Sequence, residues 1–465
     1  MQTLIQTAPP AGETRHIARH AGTVLVGQIA VMAFGIADTI VAGRFAEGAL
    51  AALSVGTAIY VSVSISLMGV LQALLPVWAE LYGARRYAEV GRAARQSLYL
   101  YAVISAIGIA MLLLPDPLMR WTGVPDAMRA EVQAYLRVQA FALPAALLFR
   151  LFSTLNQSLG KPKLVTVLQL AALGPKVLLS IWFTFGGAGL PASGLVGCGW
   201  ATLAVNWSMA IAALWMLRSQ SFYRDYHIWQ RIEGPDWRQI GHFARLGVPG
   251  GLTVLVEITS FTLMALFIAR LGNAAAGAHQ IMANLIGLAY MTPLSLGIAT
   301  SARVSYWLGT RDGARARRAC RQGFLLAVGL ALLYGLLMAA LHKVLPAIYT
   351  DNAAVEATAS SLLLVAAGFH LADATQTLCV FVLRCFRVTI LPLVVYCTLL
   401  WGLGLGGGYL LAYRGLGPWA AMQSPLAFWL MGGTALVLTA SIFLLLLVFT
   451  LRRIPSAVPD NGCRA

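Results

Sequence analysis

Twelve runs of about twenty apolar residues, separated by short polar stretches, leave this chain of 465 residues few ways to fold. No water satisfies the backbone inside hydrocarbon, so a segment of that length crosses a bilayer as a helix. The runs place spans at 17–43, 51–79, 93–115, 131–155, 164–186, 194–217, 240–270, 277–307, 319–342, 355–384, 389–412 and 427–451. A β-barrel would need short strands of alternating polarity, whereas these runs are continuous and rich in Leu, Ala and Val. Only 11% of the residues are charged, against about a quarter in soluble domains, and the mean hydropathy is +0.76. The expected fold class is an all-α integral membrane protein. The polar N-terminus, Gln2 to His20, leads into the first run without a small-residue cleavage pattern, so that run is expected to be retained.

A formal net charge of +16 would suit nucleic acid if the basic residues shared one soluble domain, but they punctuate alternate loops. Arg85, Arg86, Arg92 and Arg95 follow the second run, Lys161 and Lys163 the fourth, and Arg218, Arg224, Arg231 and Arg238 the sixth. Arg311, Arg315, Arg317, Arg318 and Arg321 follow the eighth, Arg384 and Arg387 the tenth, and Arg452 and Arg453 the twelfth. The opposite loops hold Arg44, Arg120, Arg129, Arg270, Lys343 and Arg414. The positive-inside rule then makes both termini cytoplasmic and gives the chain membrane lipid rather than nucleic acid as its surroundings. The six cysteines, Cys198, Cys320, Cys379, Cys385, Cys397 and Cys463, show neither a CxxC pair nor a ligand spacing with histidine. They read as small apolar packing residues and reduced thiols.

The two halves resemble each other at one offset. Adding 226 takes Arg44 to Arg270, Gly83 to Gly309, Arg85 to Arg311, Arg92 to Arg318, Arg95 to Arg321 and Gln96 to Gln322. An even number of spans in each half makes them parallel repeats. The expected domains are an N-terminal segment 1–16, an N-lobe 17–217, a cytoplasmic linker 218–239, a C-lobe 240–451 and a tail 452–465. The linker, with Trp229 and Trp237 among arginines, reads equally as an amphipathic stretch on the membrane surface or as a solvated loop.

Three carboxylates fall inside apolar runs: Asp38, Glu257 and Asp373. Ionisable groups in spans are costly and mark cavities that bind or move charge, which points to transport. Thr253, Glu257 and Ser260 share one helical face; Asp373, Gln376 and Thr377 repeat that pattern, and Gln280 with Asn284 makes an i, i+4 amide pair. Two carboxylates with amide and hydroxyl oxygens suit Na⁺, or a proton, rather than a soft metal. His370, three residues before Asp373, is a conceivable transition-metal ligand, but a lone histidine reads more readily as a hydrogen-bonded core residue. Asp38 shares its span with Gln28, and its bland alternative is a hydrogen bond to neighbouring backbone or a pair with Arg44. Pro144, Pro175, Pro249, Pro293 and Pro392 lie within spans, where they kink helices. Trp78, Trp121, Trp307 and Trp419 suit interfacial belts, while Trp182, Trp207 and Trp401 read as core packing or cavity lining.

Several strings together carry a family likeness. ADTIVAG followed by ALAALSVG, LLPVWAELYGARR, GVPGGLTVLVE, AAGAHQIMANL and ADATQTL resemble the multidrug and toxic compound extrusion (MATE) family, and most of all its NorM-like branch, in order from residue 17 to 450. The resemblance implies two six-helix lobes around a V-shaped cavity. It also implies an antiporter, not an enzyme, that exports cationic drugs and dyes against Na⁺ or H⁺, with no cofactor beyond that ion. It makes Glu257 and Asp373 the C-lobe coupling-cation site, with Na⁺ as one candidate ion, and Gln280 and Asn284 their polar neighbours. Asp38, with Gln28, becomes an N-lobe proton or substrate site. A monomer in a bacterial inner membrane is expected. Two departures are Phe369, where NorM-like proteins can carry a tyrosine, and a first span without proline.

Two rivals are a flippase for anionic lipid-linked oligosaccharides and an intramembrane transferase. The first would line its cleft with bases such as Arg137, Arg150, Lys176 and Arg303. The second would need a catalytic grouping, and neither GxSxG nor HExxH is present.

Overall fold

A computed structural model describes residues 11–45, 47–116, 119, 126–187, 189, 191–230, 232–415, 417–418 and 420–453. Residues 1–10 and 454–465 of the expected terminal segments, with Arg120, Trp121, Arg231, Trp419 and Cys463, lie outside the described residues. Among those described, twelve helices are long and apolar enough to cross a membrane. They are α1 (Gly12–Phe45), α2 (Ala52–Gly83), α3 (Tyr87–Leu113), α4 (Met128–Ser158), α5 (Pro162–Phe185), α6 (Leu195–Ser219), α7 (Trp237–Ala269), α8 (Asn273–Gly309), α9 (Gly313–Ala340), α10 (Ala353–Cys385), α11 (Ile390–Tyr413) and α12 (Leu426–Arg452). Each coincides with one expected span. Several run on past their apolar stretch: α8 has 37 residues, about 55 Å at 1.5 Å per residue, which exceeds a hydrocarbon core of about 30 Å.

Packing divides the chain into two units, residues 26–255 and residues 1–25 with 256–465. Both changes of unit fall inside helices, in α1 and α7, rather than in the polar linker. In the N-terminal unit α4 is the enclosed helix, packed against α2, α3 and α6 around Leu143, Leu147 and Phe152. The second half of α2 breaks at residues 73–74, where Pro76 lacks an N–H for the helical ladder and its ring crowds the preceding turn. Beyond the break Trp78 is fully buried in this core, so it is not the interfacial residue its place near a span end suggested. The first part of α7 belongs here too: Gly247 and Gly251 lie so close to Ser66 and Val70 of α2 that an added Cβ would meet backbone or side chain at 2.5–2.8 Å.

In the C-terminal unit α10 packs against α8, α9 and α12. The first turns of α1 join it, with Ile17 and Ala21 buried among Leu296, Ala299, Ala327 and Leu378. A bidentate ion pair fixes that docking: Arg303 donates to both Glu13 oxygens at 2.6 and 2.7 Å, and Trp307 Nε1 adds a bond of 3.2 Å. The Arg303 guanidinium also lies 5.1 Å from the rings of Tyr306 and Trp307.

The duplication is visible in local geometry. Arg85 and Arg311, 226 residues apart, both adopt positive φ, at 58° and 60°. The bonds around them repeat: Arg85 N to Tyr82 O and Arg86 N to Leu81 O recur as Arg311 N to Leu308 O and Asp312 N to Trp307 O, all at 3.0 Å. Non-glycine residues enter this region rarely. The same turn thus closes the second span of each half.

Part of the linker forms a strap clasped by α3. A 3₁₀ turn, Ser221–Tyr226, buries Tyr223 and Tyr226. Arg95 donates to the His227 carbonyl at 2.6 Å and to Glu233 at 2.7 Å, and Tyr99 donates to the Glu233 carbonyl at 2.7 Å. Gln96 donates to the Gly234 carbonyl and accepts from the Asp236 N–H. Burial pushes the Tyr223 phenol up to about 12, so it stays a donor to Asn156, at 2.6 Å. Trp229 and Trp237 remain 48% and 74% exposed. Gly91 is what lets the strap lie flat, since a Cβ there would stand 1.7 Å from the Tyr226 carbonyl oxygen. Gly91→Ala should therefore lift the strap, destabilise the unit by about 1–3 kcal/mol and speed tryptic cleavage at exposed Arg224. Limited proteolysis checks this, and an unchanged rate would contradict it.

Candidate functional site

The two acids of the second half meet. Glu257 on α7 and Asp373 on α10 both line an open cavity within the C-terminal unit, whose empty space of about 570 Å³ includes its solvent-open mouth. α7 also contributes Ser260, Phe261 and Met264; α10 adds Phe369; α11 adds Leu400, Gly404 and Leu405; α12 adds Phe428, Trp429 and its glycines Gly432 and Gly433. Helical spacing explains the first two sets, because Glu257, Ser260, Phe261 and Met264 recur at three and four residues, as do Phe369 and Asp373. One of these glycines makes room for a ring. A Cβ on Gly433 would lie 2.4 Å from the Phe369 ring, so only glycine lets α12 accept that side chain. Phe369 in turn stacks on Trp429, with centroids 6.3 Å apart and planes at 19°. In this chain position 369 thus supplies an aromatic face to the wall.

The carboxylates are held by neutral groups. Gln376 donates to Asp373 at 3.1 Å while its carbonyl oxygen accepts from the Tyr396 hydroxyl, and Gln376, Thr377 and Tyr396 are buried. Tyr290 of α8 hydrogen-bonds Glu257 and lies within reach of Thr377. The buried Arg384, eleven residues beyond Asp373 on α10, is near enough for its charge to act on Glu257. α11 meets this network through a π-helical stretch, Cys397–Gly407, from which Trp401 donates to the Val256 carbonyl at 3.2 Å. Such wider turns inside helices are frequent at functional sites.

The other expected polar residues divide. The Thr253 hydroxyl donates to the Pro249 carbonyl at 2.7 Å, and Thr253 is not among the residues lining the cavity. Gln280 and Asn284 are exposed, face each other at 3.5 Å, and are not among the residues lining the cavity; the α8 residue at the acids is Tyr290. His370 is buried edge-on against Tyr334. Trp182, Trp207 and Trp401 are each about two-fifths exposed, so none is a core residue.

Asp38 stands in a different environment, in the N-terminal unit. Its carboxylate takes two bonds from Lys176 Nζ, at 2.7 and 2.8 Å, and one from the Ser180 hydroxyl at 2.8 Å. The partner is Lys176 of α5 rather than Arg44. Gln28, ten residues away on α1 and so about 15 Å along the axis, is not one of its partners. Tyr290, Tyr396, Phe428 and Trp429 carried no signal that separated them from ordinary apolar packing. Lys176 did: a lysine inside an apolar run requires an anion, and only three embedded acids were available.

Negative charge beside aromatic faces binds an organic cation through ion pairing and cation–π attraction. The same oxygens suit a small hard cation or a proton.

A family model described as MatE matches residues 24–182 and 249–410. The chain is 36% identical over 436 residues to a probable multidrug resistance protein NorM of Aromatoleum aromaticum, covering 93% of this chain and 94% of the relative. It is 35% identical over 443 residues to the protein of the same description in Chromobacterium violaceum, covering 95% and 94%. In fold it is similar to the crystal structure of a eukaryotic MATE transporter, AtDTX14, with a TM-score of 0.85, 16% identity, and coverage of 96% of this chain and 98% of the other. Together with the twelve apolar helices, these likenesses make it a multi-pass bacterial membrane protein.

Proposed function

This chain belongs to the MatE family, and from that premise we propose that it exports apolar organic cations in exchange for Na⁺ or H⁺. One observation carries the reading: both embedded acids of the C-terminal unit and an aromatic wall line the same cavity. An organic cation and an inorganic ion then compete for one patch of negative charge. Entry of the inorganic ion neutralises the acids, weakens the attraction for the drug and releases it. That competition supplies the differential affinity an exchange requires, because a ligand moves a conformational equilibrium only by preferring one state. The protein works as a monomer in the bacterial inner membrane with both termini cytoplasmic, in keeping with the arginine-rich loops between even and odd spans.

The distribution of basic residues disfavours the flippase alternative. Of the bases that an anionic cargo would need, Lys176 is committed to Asp38 and Arg303 to Glu13, while Arg150 donates to Gln72 at 3.2 Å. Ethidium-loaded proteoliposomes test the proposal under an imposed Na⁺ gradient and, separately, a pH gradient. Efflux should accelerate severalfold under at least one of them, and excess unlabelled organic cation should slow it. Efflux indifferent to both gradients would overturn the reading.

A further inference from the structure

Lys176 is a buried cation that does not line the cavity of the C-terminal unit. It is 1% exposed, and its Nζ is surrounded by four oxygens: Asp38 Oδ1 at 2.7 Å, Asp38 Oδ2 at 2.8 Å, Thr202 Oγ1 at 2.7 Å and the Cys198 carbonyl at 3.3 Å. These oxygens are held from behind. Ser180 donates to Asp38 Oδ1, and Thr202 gives its own proton to the Cys198 carbonyl at 3.0 Å, leaving its lone pairs for the ammonium. Two helices, α1 and α6, thus supply a carboxylate, a hydroxyl and a carbonyl around the one positive charge that α5 brings in. This is a hard-oxygen ligand set, and its single carboxylate balances a single charge, so the cradle suits a monovalent ion and not a divalent one.

We propose that this cradle is a monovalent-cation site that the chain fills with its own ammonium group. Lys176 is the residue that excludes Na⁺ from the N-terminal unit. Tethering is the physical reason. The ammonium reaches the oxygens without losing the translational freedom that a dissolved ion must give up on binding. Asp38 is therefore not open to an ion from water while Lys176 is in place, which leaves the inorganic ion of an exchange to the acids of the C-terminal unit. The first part of the inference stands whether or not that exchange occurs.

Removing the head group should uncover the site. The test uses purified full-length protein carrying Glu257→Gln and Asp373→Asn, so that the second cavity contributes nothing, and measures ²²Na⁺ binding. With Lys176 present, saturable binding should be absent. Lys176→Ala should bind about one Na⁺ per chain, and adding Asp38→Asn should abolish it. Methylammonium, which replaces the lost head group, should displace the bound ²²Na⁺ from the Lys176→Ala protein and raise its melting temperature in a saturable way. If alanine prevents accumulation, Lys176→Ser leaves a similar space and takes its place. Saturable Na⁺ binding while Lys176 is intact would overturn the inference, and that arm needs no lysine variant. Failure of the lysine variant to gain Asp38-dependent binding would overturn it as well. Neither outcome bears on efflux, so this inference and the exchange reading fail separately.

Discussion

Glu257→Gln and Asp373→Asn are each expected to lower gradient-driven ethidium efflux at least tenfold while the protein still folds. Each substitution removes one of the two ionisable carboxyl groups that face the cavity and keeps the shape of the side chain. A tenfold loss corresponds to about 1.4 kcal/mol of binding free energy, which is modest for a charge removed from a poorly solvated site. Folding should survive because the hydrogen bonds have substitutes. An asparagine oxygen at 373 still accepts from Gln376, and Tyr290 still has Thr377 in reach. The two single losses should not add, since both acids act on the same bound ion. Efflux from proteoliposomes with matched protein content, with size-exclusion profiles as the folding control, decides it. Wild-type rates in either variant would remove the exchange reading.

Asp38→Asn should instead be costly to the fold, by about 3–5 kcal/mol, because it leaves the Lys176 ammonium buried without a counter-charge. The Asp38 and Lys176 side chains are 12% and 2% exposed, so water screens the pair little. Replacing both, Asp38→Asn with Lys176→Met, removes the stranded charge and should recover most of the loss. Graded unfolding of the purified protein, read as a melting temperature, distinguishes the two. If Asp38→Asn alone unfolds like the wild type, the pair is not what holds α1 to α5.

These two results are expected to differ although the three acids look alike along the chain. Each is a carboxylate in an apolar run, and the cost of embedding it is the same. What separates them is the partner, a lysine 138 residues away for Asp38 and neutral side chains for Asp373. Helical spacing did connect Asp373 to Gln376 and Thr377, since three and four residues along one helix meet in any setting. It could not connect Asp373 to Tyr396 or Glu257 to Tyr290, which depend on how neighbouring helices are rotated about their axes. In lipid that rotation leaves a weak trace in composition, because the outside of a helix is as apolar as its packed face. Trp78 shows the consequence. Its place near a span end suited an interfacial belt, and the break at Pro76 turns it into the core instead.

The order and extent of the twelve helices, the arginine-rich turns repeated 226 residues apart, and the presence of embedded charge follow from the amino-acid sequence, because each is a property of one segment in hydrocarbon. Which charges share a cavity, which are cancelled by a tethered ammonium, and which rings form the wall were decided only when helices distant in the chain packed together. Contacts of that kind depend on relative helix rotation and close approach at glycines, and no local pattern encodes either.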